Sequence, residues 1–211
     1  EEKLSDYFKT KSLNLGCLNM NWIIGIVVLA VTSFVGFTYY SSQKLEKPGY
    51  KVLVNEGDYQ VRLYRSSLWA DVEVSTTNHG TMSREGFRPL ANYIFGGNVE
   101  NKSLSMTAPV AMINDSINPS MRFYMPSNRN TKNLPKPNEK SIRFIELPER
   151  KLATFKFGGS LNENSKKEAM KKLKIWCQEN NLEINGPLEV FGYNAPYEVI
   201  KTNEVAFPIK D

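Results

Sequence analysis

The side chains able to perform acid–base, nucleophilic or metal chemistry are few in this chain. It contains one histidine, His79, and two cysteines, Cys17 and Cys177, which lie far apart in the sequence. Catalytic triads and metal centres usually need a histidine base or several imidazole or thiolate ligands. The composition therefore argues against a hydrolase, a metalloenzyme or a disulfide framework, and we predict a protein without catalytic activity. His79 is the candidate metal ligand, although Asn78-His79-Gly80 is typical of an exposed turn.

Basic residues are in modest excess, with 27 lysines and arginines against 22 aspartates and glutamates and a formal net charge of +5. They are spread along the chain and form no stripe, so we predict no nucleic-acid partner. The densest group falls on one predicted helix, where a solvated outer face is expected and contact with acidic lipid or nucleic acid is the alternative. It consists of Lys166, Lys167, Lys171, Lys172 and Lys174.

A long uncharged segment, residues 22–40, lies near the start of the chain. As a helix rising about 1.5 Å per residue it would reach about 28 Å, close to the thickness of a bilayer core. The sequence therefore predicts a transmembrane helix at 21–41, after an N-terminal extension at 1–20 and before a linker at 42–49, with a cleaved signal as the alternative. Lysines flank both ends, so the orientation and the compartment of this single-pass membrane protein stay open.

Two stretches of the remaining chain, 59–76 and 142–159, have the same pattern of two half-buried strands around a short polar turn. Each opens a unit with the order strand, strand, helix, strand, strand. The turns within each strand pair are too short for parallel crossovers. We therefore predict an α+β domain at 50–211 with halves 50–126 and 142–210. Its duplicated ββαββ units form a curved antiparallel sheet or barrel with two helices outside, preceded by the transmembrane helix.

The helices follow from apolar spacing and from their end signals. The first is predicted over 81–95 and ends at Gly96-Gly97. The second begins at a capping box formed by Ser165 and Glu168 and continues to Gln178. The strands are predicted at 50–54, 59–64, 69–76, 104–113, 121–125, 142–147, 152–158, 188–193 and 205–209.

Several segments together resemble one known family. They are YKVLVNEGDYQVRLY from Tyr50, Lys102–Val110 with its MTAPV core, Phe157-Gly158-Gly159, Gly192–Pro196 and Asn203-Glu204-Val205. Residues 50–210, which contain these segments in order, resemble the SOUL heme-binding family, whose fold is similar to effector-binding domains of the bacterial gyrase-inhibitor type. The resemblance implies a non-enzymatic module that binds heme or another porphyrin.

The resemblance also implies a position for the ligand. In the family, the groove lies between the first helix and the loop that joins the last two strands, here residues 84–94 and 193–201. The resemblance implies apolar residues that form the floor of the groove, for which ordinary core packing is the alternative. It also implies basic residues that bind the two propionates, for which solvated surface charges are the alternative. The residues concerned are Phe87, Ala91 and Ile94 for the floor and Arg84, Arg88 and Lys201 for the propionates. As the sole imidazole, His79 is also the candidate ligand of heme iron, although it matches no motif position.

Two functions are therefore predicted. The first is a membrane-anchored heme or tetrapyrrole binder that acts as a carrier, buffer or sensor. The alternative is an accessory or structural subunit of a membrane protein complex that uses the same fold for protein contacts. Small residues along the apolar segment favour a close-packing helix face, namely Gly25, Ala30, Ser33 and Gly36. A third reading, an enzyme using Glu146, Glu149 or Tyr193, has no support in the spacing of those residues.

Overall fold

A computed structural model describes residues 20–194, 198 and 200–210. The chain divides into two compact units, Glu1–Ser41 and Ser42–Asp211. Helix α1 spans Met20–Gln43, and its side chains from Trp22 to Phe34 are all exposed. Among the described residues, no helix is long and apolar enough to cross a membrane. The predicted anchor at 21–41 is therefore not supported, and residues 1–19 of the predicted extension lie outside the described part of the chain.

The second unit is built on one curved, antiparallel, nine-stranded sheet in the described chain, which confirms the α+β class. The strands are β1 Tyr50–Glu56, β2 Tyr59–Tyr64, β3 Ser67–Glu73, β4 Val110–Asn114, β5 Ser120–Tyr124, β6 Ile142–Leu147, β7 Arg150–Gly158, β8 Leu188–Gly192 and β9 Thr202–Pro208. Their order across the sheet is β1-β2-β7-β9-β8-β4-β5-β3-β6.

This order has an internal two-fold relation. Strands β2, β3, β4 and β5 of the first half correspond to β6, β7, β8 and β9 of the second half. Exchanging the two members of each pair reverses the order of the strands from β2 to β6. The central pair is β4 and β8, where Met112 lies opposite Val190. The outer strands cross over between the halves, because β2 pairs with β7 and β6 pairs with β3. The two halves therefore share one hydrogen-bonded sheet.

Two helices, α2 at His79–Ile94 and α3 at Glu163–Glu179, pack on one face of this sheet. Helix α2 lies on β3 and β5, and α3 lies on β7 and β9. Four of the five buried residues of each helix recur at a constant separation of 83 positions, and both helices have an asparagine N-cap. The buried pairs are Gly86 and Ala169, Leu90 and Leu173, Tyr93 and Trp176, and Ile94 and Cys177. Corresponding positions in the two halves thus anchor each helix to the core.

Three local predictions were wrong. The strand predicted at 104–113 begins only at Val110, because Pro109 has no N–H for a ladder bond and the Thr107 hydroxyl donates to the carbonyl oxygen of Tyr124 at 2.6 Å. His79 begins α2 and does not sit in a free turn, since Asn78 caps the helix by accepting a hydrogen bond from the Thr81 amide. Helix α3 is capped by Asn162, with Ser165 inside the helix as its capping-box partner.

Candidate ligand-binding site

The predicted floor residues of α2 lie at three different depths. Phe87 is 41% exposed and meets Phe123 of β5 edge to face, with ring centroids 5.4 Å apart. Ala91, one turn further along the helix, is half-buried. Ile94 is only 5% exposed and packs in the main core. Phe87 and Ala91 thus form an apolar strip on the surface of α2, while Ile94 supports it from below.

Two arginines flank this strip. Arg84 and Arg88 are exposed and one turn apart on α2. The neighbouring carboxylate of Glu85 accepts hydrogen bonds from the backbone N–H and the hydroxyl of Ser75. The hydrogen bond from the Ser75 backbone N–H is the main cause of the lowered pKa of Glu85. In the described part of the chain no salt bridge involves either arginine. We call Arg84, Phe87, Arg88 and Ala91, with Phe123 beneath them, the α2 surface.

Lys201 lies at the same end of the sheet as this surface, directly before β9. The strand register connects the two places, since Asn203 pairs with Gly192, Gly192 with Val110, and Val110 with Phe123. Three strand spacings separate Asn203 from Phe123, about 14 Å. The loop between β8 and β9 was predicted to form the second wall of the groove. Part of this loop, residues 195–197 and 199, lies outside the described residues.

His79 lies elsewhere, at the junction of the two helix starts. Its backbone N–H donates to the carboxylate of Glu163, and the Lys166 ammonium donates to Glu163 at 3.0 Å. Burial of the ring and then the charge of Lys166 lower the pKa of His79. The imidazole is therefore held neutral, the form that binds metals. Its Nδ1 atom has no hydrogen-bond partner among the described residues, and these contain no cluster of three or more metal-ligating side chains.

The opposite face of the sheet, which carries neither α2 nor α3, holds a buried polar cluster that the sequence analysis missed. Arg62 of β2 donates twice to Glu204 of β9, each time at 2.8 Å, and both side chains are 6% exposed. Tyr193 donates to the same carboxylate at 2.7 Å. Arg62 also lies over the ring of Tyr50. Arg62 alternates with apolar residues in β2, and this alternation is typical of a solvent-facing position. Only the pairing of strands distant in the sequence reveals that Arg62 is buried.

Burial shifts the proton affinities within this cluster. The pKa of Tyr193 is raised well above its ordinary value, first by burial and then by the negative charge of Glu204. Burial is the largest single effect on Arg62 and opposes its charge, but the hydrogen bonds and the negative charge of Glu204, together with Tyr64, outweigh it and raise the pKa of Arg62. The cluster is therefore a stable ion pair with a neutral phenol, and its donors and acceptors bond to one another. Such an arrangement fixes the relative position of β2 and β9.

Two curated proteins are similar to this chain in sequence. Heme-binding protein 2 of Homo sapiens is 23% identical over 182 residues, covering 81% of this chain and 88% of its own length. The protein of the same name from Mus musculus is 23% identical over 176 residues, covering 77% and 85%. Both comparisons extend over nearly the whole length of the relatives.

Solved structures extend the similarity to the fold. The C-terminal domain of EcmrR superimposes with a TM-score of 0.56 at 14% identity, covering 77% of this chain and 98% of that domain. A hydrolase from Listeria innocua gives a TM-score of 0.53 at 5% identity, covering 75% and 94%. At such identities the likeness concerns the fold alone. The profile described as SOUL heme-binding protein matches residues 45–208, and the chain therefore belongs to the SOUL heme-binding protein family.

Proposed function

We propose that the protein binds heme or a related porphyrin on the α2 surface, as a non-catalytic carrier, buffer or sensor. Family membership supports the ligand class. The observation that carries the location is Phe87, a large aromatic side chain that remains 41% exposed on a helix whose other large apolar side chains are buried. A flat ring lying on Phe87 and Ala91 would cover this strip.

Burial of the ring supplies most of the affinity. A porphyrin face has a few hundred Å² of apolar area, which at about 25 cal/mol per Å² corresponds to several kcal/mol before the costs of association. Phe123 holds the Phe87 ring in place through their edge-to-face contact. The aromatic strip therefore offers a preformed apolar platform that needs little reorganisation.

The basic side chains orient the ligand. Arg84 and Arg88 project from α2, and Lys201 precedes β9 at the same end of the sheet. A porphyrin with its two propionates extended has a span comparable to the three strand spacings that separate β9 from Phe123. Exposed ion pairs contribute only about 0–1 kcal/mol each, so the three cations select an orientation more than they add affinity.

Iron coordination is a separate question. His79 precedes Phe87 by two turns of α2, about 12 Å along the helix axis. A ring lying on Phe87 therefore takes its affinity from burial, and the neutral imidazole of His79 is the nearest candidate axial ligand on this helix. When bound, heme would supply an iron centre whose spectrum reports its axial ligands. Replacing His79 by alanine should change that spectrum only if His79 is such a ligand.

Titration of the full chain with hemin tests the proposal. We expect a Soret shift that saturates at one hemin per chain and is abolished in Phe87→Asp. The matched control is Met170→Asp, because Met170 occupies the corresponding position on α3; it is half-buried, whereas Phe87 is exposed. Circular dichroism of both variants checks that they fold. A shift that never saturates, or that survives in Phe87→Asp, would refute binding at the α2 surface.

A second candidate function, an accessory subunit of a larger assembly, is favoured by α1. Its apolar side chains from Trp22 to Phe34 are exposed, for example Leu29 at 68% and Ile26 at 57%. Contiguous apolar surface of this kind marks an interaction site. A side chain added at Gly25 or Gly36 would meet nothing within 4 Å, so a partner could approach α1 closely there. Purification in mild detergent followed by mass spectrometry tests this, and recovery of only the free monomer would contradict it.

A further inference from the structure

The second half of the fold contains a cavity that corresponds to the α2 surface. It has a volume of about 590 Å³ and lies between α3, the segment after α3 and the ends of β8 and β9. Phe87 corresponds to Met170 at the separation of 83 positions that relates the two helices, and Ala91 and Ile94 correspond to Lys174 and Cys177. The side chains that line the cavity include Met170, Lys174, Cys177, Leu182, Leu188 and Phe207. We call it the α3 cavity.

The wall of this cavity is held by backbone contacts and is therefore preformed. The Leu182 amide donates to the carbonyl oxygen of Cys177 at 2.9 Å, and the Asn185 amide donates to that of Pro208 at 2.7 Å. A Cβ atom at Gly186 would come within 2.8 Å of Pro208, so the segment lies directly against β9 at that point. A ligand entering the cavity would not have to order this wall.

The lining combines apolar side chains with one positive charge. Lys174 is exposed, and its ammonium lies 5.7 Å from the ring centroid of Phe207. Gln178 follows one turn later on the same stripe of α3 and offers an amide donor. Among the residues that the structure describes, no acidic side chain lines the cavity. The chemistry therefore matches a ligand with an apolar body and a single anionic end.

The thiol in the cavity does not supply covalent chemistry. Cys177 is fully buried, and burial raises the pKa of its thiol to about 11. The sulfur is therefore protonated at neutral pH and behaves as an apolar lining group. Binding in the α3 cavity must accordingly be reversible.

We propose that the α3 cavity binds an apolar monocarboxylate of the fatty-acid class, with its chain against Leu182, Leu188 and Phe207 and its carboxylate at Lys174 and Gln178. This is a second ligand site, separate from the α2 surface and independent of porphyrin binding. The volume lies within the range of about 300–1,000 Å³ found for small-molecule sites. Ala91 of α2 and Lys174 of α3 occupy corresponding positions, so the two helices differ in charge at this position.

Calorimetric titration of the full chain with dodecanoate, below its micelle concentration, tests this proposal. We expect one saturable site. Lys174→Gln should weaken binding about fivefold, the upper end for an exposed ion pair, and Lys174→Arg should restore it. Dodecyltrimethylammonium, with the same chain and the opposite charge, should bind the wild type at least about fivefold more weakly. Leu182→Asp should remove binding while circular dichroism shows an unchanged fold.

Two controls separate this site from other surfaces. Lys171→Gln removes an exposed α3 lysine that does not line the cavity, and its affinity for dodecanoate should equal that of the wild type. Phe87→Asp should also leave dodecanoate binding intact, whether or not it abolishes hemin binding. The proposal is overturned if Lys174→Gln binds normally, if Lys171→Gln weakens binding equally, or if Phe87→Asp removes dodecanoate binding.

Discussion

Replacing Glu204 by glutamine should destabilise the domain far more than its conservative shape suggests. The carboxylate accepts two hydrogen bonds from Arg62 and one from Tyr193, in a place where both charged side chains are 6% exposed. Glutamine has nearly the same size but no charge, and its amide group would point N–H donors at the guanidinium. Breaking one partner of a buried ion pair costs about 3–5 kcal/mol, because the remaining charge stays desolvated.

The size of this effect makes it easy to measure. The free energy of unfolding of native proteins is about 5–15 kcal/mol, so the loss is a large fraction of the total. For a chain of this length it corresponds to a decrease in melting temperature of about 6–20 °C. Urea denaturation of Glu204→Gln should therefore give a lower midpoint with an unchanged slope. Adding Arg62→Met, which removes the orphaned charge, should recover part of the loss.

The exposed pair of Lys102 and Glu100 provides the control. Its side chains are 70% and 47% exposed, and Glu100→Gln should change the free energy of unfolding by no more than about 1 kcal/mol. If Glu204→Gln costs as little as Glu100→Gln, the buried cluster does not hold β2 to β9, and the reasoning about this face of the sheet fails.

Three further outcomes follow from single residues. The pKa of His79 lies below its ordinary value of 6.5, so the unfolded chain binds more protons and the free energy of unfolding falls as the pH is lowered through 6.5. Urea titrations at several pH values should show a smaller fall in this free energy for His79→Gln than for the wild type. Gly86→Ala should destabilise the domain by about 1–3 kcal/mol despite better helix propensity, because the new Cβ would lie 2.4 Å from the Cβ of Met121; a stability gain on thermal unfolding would contradict the close approach. Cys177, with its raised thiol pKa of about 11, should react with a thiol reagent at pH 8 about a hundredfold more slowly in the native than in the urea-unfolded chain; equal rates would refute its burial.

The sequence was sufficient for the features that depend on local periodicity. Alternation over 59–64 and 142–147 predicted β2 and β6, and helical spacing around Phe87 predicted α2. It was insufficient where distant strands decide the outcome. Arg62 and Glu204 are brought together only by the order of β2, β7 and β9. Nothing in either strand's own pattern distinguishes this buried face from a solvated one.

The candidate site shows the same division. Helical spacing placed Phe87, Ala91 and Ile94 on one side of α2, but their depths differ, because one turn of helix carries a side chain from the rim of the contact with the sheet into the core. The loop of residues 104–109 was mistaken for a strand because Leu104 and Ala108 are buried although they belong to no strand ladder. The amide N–H of Leu104, for example, donates to the carbonyl oxygen of Ile94 at the end of α2. Composition cannot separate these two ways of burying an apolar residue.

The corresponding positions of α2 and α3 would allow one scaffold to hold the two proposed ligand sites. Positions that touch the sheet are restricted in both helices, and so Leu90 matches Leu173, and Tyr93 matches Trp176. Positions at the rim carry no such restriction, and there Ala91 contrasts with Lys174. A change at the rim alters the charge and shape offered to a ligand at little cost to packing. The two surfaces can therefore diverge independently, which is why exchanging the rim residues between α2 and α3 should exchange ligand preference while leaving stability nearly unchanged.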